Sequence, residues 1–223
     1  MVPIPARWPR PTASPAPTLK PAAPNVCSIM TDPKHVALFG GSFNPPHVCH
    51  TLATLWVLQT QAVDEVWWIP TYQHAFNKEL ASFEAREAMC QAALHSLNDV
   101  RVCTIERELG GESRTIDTVS ALQERYPQTR FSLVIGADIL SEVDRWKRWD
   151  DLMTMVDLIV VGRRGHDRDT APDTIDLELP DISSTIIRDA LAACDYESVR
   201  AWIPARVLDI VSEHRLYLGS RCA

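Results

Sequence analysis

"VALFGGSFNPPHVCHTLATLW", residues 36–56, is the stretch on which the reading of the fold turns. An apolar, β-branched run ends in Gly40-Gly41 and passes through Pro45-Pro46 and two histidines three residues apart. Val48, Leu52, Leu55 and Trp56 then resume at helical spacing. That order predicts a strand over 35–39, a loop at its carboxyl edge and a helix beginning near His47. Glycines at such a place let backbone N–H groups approach an anion with no Cβ in the way, and the helix N-terminus adds about half a positive charge. His47 and His50, at i and i+3 on the first turn, share one face. Together these features make a phosphate cradle. Two other readings stand beside it: a tight turn with no ligand, and a metal held by the two histidines with Cys49, for which no other Cys/His cluster supplies the remaining ligands. A Walker A loop is excluded, because G-x-x-x-x-G-K followed by Ser or Thr is absent.

Outward from this stretch the chain alternates short β-rich runs with longer helical patterns. Strands are predicted at "HVALF" (35–39), "EVWWI" (65–69), "VRVCTI" (100–105), "FSLVI" (131–135) and "LIVVG" (158–162). Several are apolar on consecutive positions, as strands buried on both faces of a parallel sheet are. Between them, Met89, Ala92, Ala93 and Leu97 form a second helical stripe, and Val119 and Leu122 belong to a third helix that ends before Pro127. The alternation predicts an α/β fold, a Rossmann-like doubly wound parallel sheet in a single domain, with ligands beyond the carboxyl ends of the strands.

Composition narrows the function. A chain of 223 residues with 46% hydrophobic content can bury a sizeable core in one domain. A formal charge of −7 argues against a general nucleic-acid binder, which needs basic surface to displace counterions. Cys27, Cys49, Cys90, Cys103, Cys194 and Cys222 include no C-x-x-C pair, which indicates neither a zinc ribbon nor a disulfide framework and predicts a reducing, cytoplasmic setting. No apolar run reaches the roughly 18 residues of a membrane span. Residues 1–33 carry Pro3, Pro5, Pro9, Pro11, Pro15, Pro17, Pro21 and Pro24, and are expected to be a flexible extension before a domain over 34–223. The spelling is compatible with a homo-oligomer without specifying one.

A second constellation lies far along the chain. "DISSTIIRDAL" (181–191) places Ser183 and Ser184 to cap a helix whose first turn carries Thr185 and Arg188. Hydroxyls, free N–H groups and a guanidinium suited to bidentate phosphate contact are thereby gathered at one helix start. An ordinary capped helix with a surface arginine would be spelled the same way.

With both stretches in view, "GGSFNPPHVCH" resembles the signature of nucleotidyltransferases carrying an H-x-G-H motif, and "ISSTIIR" resembles their distal motif. The intervening "SRTIDTVSAL" (113–122), "LVIGADILSEVDRWKRWDDL" (133–152) and "LIVVGRRG" (158–165) are most similar to segments of the nicotinate/nicotinamide mononucleotide adenylyltransferases. The likeness spans about residues 35–218. It implies transfer of AMP from ATP, with Mg²⁺ present, to the 5′-phosphate of a pyridine mononucleotide, by direct in-line attack with release of pyrophosphate. By the same resemblance Gly40, Gly41, Ser42 and Phe43 line the shared site. His47 and His50 hold the ATP phosphates, and Ser184, Thr185 and Arg188 clamp them from the opposite side. Gly136 and Asp138 fall near the ribose and adenine, Thr115 and Thr118 at the mononucleotide, and Trp146 where an indole stacks on the pyridine ring. Lys78 is expected to add charge at the substrate side.

Departures from the pattern are equally specific. Cys49 stands in place of the motif glycine, which narrows the pocket. Arg114 and Lys147 stand where tyrosines are usual, which predicts an unusually positive pyridine end and a preference for the nicotinate acceptor. Two alternatives remain: a sister transferase acting on another phosphorylated acceptor such as phosphopantetheine, and a nucleotide-binding protein whose catalysis has lapsed.

Overall fold

The computed structural model describes residues 35–73, 80–163 and 175–219, which belong to one compact unit. In chain order they form β1 (His35–Gly41), α1 (Val48–Thr60), β2 (Glu65–Pro70), α2 (Phe83–Leu94), β3 (Val100–Val102), α3 (Ile105–Leu109), α4 (Thr115–Arg125) and β4 (Arg130–Gly136). A 3₁₀ segment (Ala137–Arg145), α5 (Trp149–Met155), β5 (Asp157–Arg163), β6 (Ile175–Leu179), α6 (Ser184–Ala192), α7 (Tyr196–Val199) and α8 (Ala205–Glu213) follow. Six strands make one sheet in the order β3-β2-β1-β4-β5-β6, and every neighbouring pair is parallel. β1 lies between β2 and β4, so the chain winds outward in one direction from β1 and in the other from β4. The crevice at the carboxyl end of that switch point is where doubly wound sheets bind ligands.

Strand spelling explains the two-faced core. β1 sends Val36 and Leu38 to one face and Ala37 to the other; β2 divides Trp67 and Ile69 from Val66 and Trp68; β4 divides Phe131, Leu133 and Ile135 from Val134. One face is covered by α1, α2, α6, α7 and α8, the other by α3, α4 and α5. Consecutive apolar residues are therefore the signature of burial on both sides, as expected.

Three local expectations are corrected. The stripe Val48, Leu52, Leu55, Trp56 is not the buried face of α1: Leu52 and Leu55 are 44% and 37% exposed, and Cys49, Ala53, Thr54 and Val57 face the sheet. Small residues are needed there because Trp68 stands beneath the helix, with its indole Nε1–H donating to Thr54 Oγ1 at 2.7 Å. The third strand stops at Val102. Thr104 becomes the residue before α3, and Ile105 turns into the second core as a helical residue. β6 was not foreseen, because acids alternate with apolar residues in "IDLEL", as suits a sheet edge and not a strand buried on both faces. Cys49, Cys90 and Cys103 are free thiols, and Cys194 is disulfide-bonded. No helix among the described residues is long and apolar enough to cross a membrane.

Candidate active site

The loop after β1 is shaped from within. Gly41 has no side chain because the Phe43 ring folds over it: a Cβ there would lie 3.3 Å from Phe43 Cζ. Phe43 holds a left-handed backbone, φ 46°, and its ring stacks on Trp68 at 4.5 Å and 6°. That conformation is uncommon for an aromatic residue, and the buried stack offsets its cost. Phe43 is thus mainly a core residue, and the loop's shape follows from it. Asn44, also buried, accepts from the Ala81 N–H at 3.0 Å and from the Tyr217 hydroxyl at 2.7 Å through Oδ1. Burial pushes that phenol well above its usual range, so it remains a donor.

The helix start at His47 is closed by the side chain of the residue three positions on. The His47 N–H donates to His50 Nδ1 at 3.1 Å, and the two rings lie 3.9 Å apart. Since the His50 Nδ1 lone pair is engaged, its Nε2 is the ring atom that carries a hydrogen. Opposite, Ser183 caps α6 by accepting from the Ile186 N–H at 3.3 Å. Ser184 Oγ donates to Pro45 O at 2.8 Å, and Arg188 donates through Nη1 to Asn44 O at 2.8 Å and through Nη2 to Thr185 Oγ1 at 3.2 Å. The two distant motifs are therefore bonded directly to each other. Ser184, expected to clamp a ligand, donates its hydroxyl to the opposite loop.

Between the motifs lies a cavity of about 290 Å³. Gly40, Ser42, Phe43, His47, His50, Gly136, Ser184, Thr185 and Arg188 all reach it, which brings together most of the residues expected to meet ATP. Gly41 supports the wall without lining it, and Asp138 sits in the 3₁₀ segment between the lining residues Gly136 and Ile139. Cys49 forms part of the apolar wall at 4% exposure, with Sγ turned toward Pro180 O at 3.6 Å. The N-termini of α1 and α6 both open on this space, so partial positive charge arrives from two sides.

The residues expected at the mononucleotide are grouped elsewhere. Thr115, Thr118 and Trp146 do not line the cavity. Thr115 begins α4, and Trp146 is half-buried, edge-on to Trp149 at 5.6 Å. Thr118 is buried, and its hydroxyl donates to Glu106 Oε1 at 3.1 Å. Lys78 lies outside the described residues. The positive pyridine end is also corrected: Arg114 pairs with Glu112 at 2.5 Å and Lys147 with Asp117 at 3.0 Å, so neighbouring acids compensate both cations.

Four residues of this region escaped sequence reasoning. Asn44 carries no signal beyond its place in the loop after β1. Tyr217 carries no local signal. Arg86 could have been noticed as a charge within the apolar pattern of α2, and Glu106 as an acid beside a buried isoleucine. Burial holds the Arg86 guanidinium below its usual range and pushes the Glu106 carboxyl above its own.

A cytidylyltransferase-like family model matches residues 38–190. A probable nicotinate-nucleotide adenylyltransferase of Anaeromyxobacter dehalogenans (strain 2CP-C) is 48% identical over 194 residues, 85% of this chain and 100% of the relative. One from Myxococcus xanthus is 42% identical, covering 82% and 94%. Among solved structures, the Plasmodium falciparum nicotinic acid mononucleotide adenylyltransferase complexed with NaAD matches with a TM-score of 0.72 at 19% identity, over 82% of this chain and 97% of that one.

Proposed function

The chain belongs to the cytidylyltransferase-like family and, within it, to the nicotinate-nucleotide adenylyltransferases, and from that premise we propose that it transfers AMP from ATP to nicotinate mononucleotide in NAD biosynthesis. The observation that carries the chemistry is the convergence of His47, His50 and Arg188, with the N-termini of α1 and α6, on one cavity. An oxygen of the mononucleotide 5′-phosphate attacks the α-phosphorus of ATP, the bond from that phosphorus to the bridging oxygen breaks, and pyrophosphate leaves. The attacking group is already an anion, so no general base is required. The protein's tasks are to align two polyanions and to stabilise charge growing on pyrophosphate. His47, the His50 Nε2–H and Arg188 supply donors to the phosphates, as do the N–H groups near Gly40 and Ser42. Gly136 and Asp138 are assigned to the nucleoside side, and Thr115 and Trp146, outside the cavity itself, are assigned to the acceptor by the family's pattern. No carboxylate lines the cavity among the described residues, and no cluster there has the ligands for a metal. Mg²⁺ therefore belongs to this reading as part of the MgATP substrate, held by the nucleotide's own phosphates. Both substrates are small water-soluble anions, and the cytoplasm is the setting that suits them.

The test is an acceptor panel with MgATP and nicotinate mononucleotide, nicotinamide mononucleotide or phosphopantetheine. Pyrophosphate and a dinucleotide should form fastest with the nicotinate form. Nucleotide binding without pyrophosphate would make the chain a binder, and preference for phosphopantetheine would assign a different acceptor.

A further inference from the structure

Arg86 is 1% exposed, yet it makes no ion pair among the described residues. Instead its donors go to backbone carbonyls of three separate segments: Nη1 to Ser42 O at 3.0 Å, Nε to Ala81 O at 3.0 Å, and Nη2 to Tyr72 O at 3.5 Å. The Tyr72 N–H donates on its other side to Glu106 Oε2 at 3.0 Å and to Ser113 Oγ at 2.9 Å, and Glu106 Oε1 accepts from Thr118. A continuous path, Ser42–Arg86–Tyr72–Glu106–Thr118, thus runs from the wall of the cavity to the helix that begins at Thr115. Glu106 reaches the guanidinium only through space and not by direct contact, and an apolar residue would fill the same volume without the cost of burying a charge. What an apolar residue cannot do is fix three carbonyls in one plane.

We infer that Arg86 is a positioning residue for adenylyl transfer, the strut that sets the phosphate-facing loop against the acceptor end of the site; this rests on the function proposed above. Ser42 O lies on one side of the left-handed Phe43 and is held by Arg86, while Asn44 O lies on the other and is held by Arg188. Arg188 reaches the cavity, but Arg86 does not. The two arginines therefore separate into one that meets substrate and one that acts only through the loop. Because two reacting phosphates must be aligned to within about an ångström, loosening the strut costs turnover more than binding.

The experiment compares Arg86→Lys and Arg86→Ala with the full chain, below their melting temperatures. In Arg86→Lys, kcat should fall on the order of 10² while KM for MgATP and for the acceptor changes less than about threefold. In Arg86→Ala, guanidinium chloride should restore at least about tenfold of the loss, whereas urea at equal concentration should not. Hydrogen exchange over residues 41–45 should quicken about tenfold in both, independent of catalysis. Folded variants with full kcat and unchanged exchange would overturn the inference. Quickened exchange in a protein whose parent transfers no adenylyl group would sustain the strut and defeat the functional reading instead. If neither arginine variant folds, Glu106→Ala, which removes the acceptors for the Tyr72 N–H and the Thr118 hydroxyl, carries the test: a fall in kcat with unchanged KM supports the strut, and full kcat overturns it.

Discussion

His50 shows how much one side chain's neighbours decide. Its Nδ1 is occupied by the His47 N–H, so the ring can offer the cavity only its Nε2 donor. Replacing it with alanine should therefore lower kcat on the order of 10²- to 10³-fold, the loss that follows removal of one preorganised donor to developing charge. Normal turnover in that variant would dissociate the histidine pair from the chemistry. Arg114 and Lys147 teach the reverse lesson, since each looks like an anion-binding residue by sequence but is paired with a neighbouring acid at the surface. Arg114→Tyr and Lys147→Tyr should leave the nicotinate-to-nicotinamide ratio of kcat/KM within about threefold of the parent, because exposed ion pairs contribute little. A collapse of the ratio would mean that these pairs open when acceptor binds. Glu106 gives a pH dependence with a definite sign. Burial raises its folded value above the ordinary 4.5, so the folded protein keeps this proton to higher pH than the unfolded chain does. The group's contribution to stability is full below the unfolded value and declines as pH rises through the folded one. Denaturation midpoints of the parent, measured against Glu106→Gln from about pH 4 to about pH 7, should shift against the parent as pH rises. A constant difference would show that the carboxyl is not held protonated.

At the scale of elements, what could be read in the sequence was what local chemistry alone dictates. The strands of the sheet centre announced themselves because both faces are apolar, and the capped starts of α1 and α6 announced themselves because Gly, Pro, Ser and His have few other reasons to stand together. What escaped depended on partners distant in the chain. The buried face of α1 is chosen by the size of Trp68, and the roles of Asn44, Arg86 and Tyr217 exist only once loops from four parts of the chain meet. The spelling of Ser184 and Arg188 could not reveal that both bond to the facing loop. The cap of α6 offers a test at this scale. Ser183→Ala removes the acceptor for the Ile186 N–H and should cost about 1 kcal/mol, lowering the melting temperature by roughly 2–4 °C. Ser183→Asp keeps an acceptor and suits the helix dipole, so stability should be retained. Because Ser183 also lines the cavity, the added carboxylate should raise the KM for MgATP. Unchanged KM in the aspartate variant would mean that the phosphates do not approach the start of α6.

The whole molecule carries a net charge of −7 yet is assigned two anionic substrates, so its positive potential must be local. The local sources named above all lie at or after β1, and the proline-rich residues before it are expected to add nothing to the chemistry. The start of the sheet is tied down by described residues. The His35 N–H donates to Asp64 Oδ2 at 2.8 Å, the Asp64 N–H donates back to His35 O at 2.8 Å, and the His35 ring bonds Ala62 O and Ser132 Oγ. Each of these partners lies within the sheet or the turn entering β2. A segment with that density of prolines and few apolar residues has little surface to bury against the entropy of ordering it. Removing residues 1–30 should accordingly leave kcat and both KM values within about twofold and the melting temperature within roughly 2 °C. Parallel thermal melts and steady-state assays of the full and shortened chains check this. A drop of many degrees would mean that the leading residues dock on the domain, and a change in KM alone would place them at the mouth of the site.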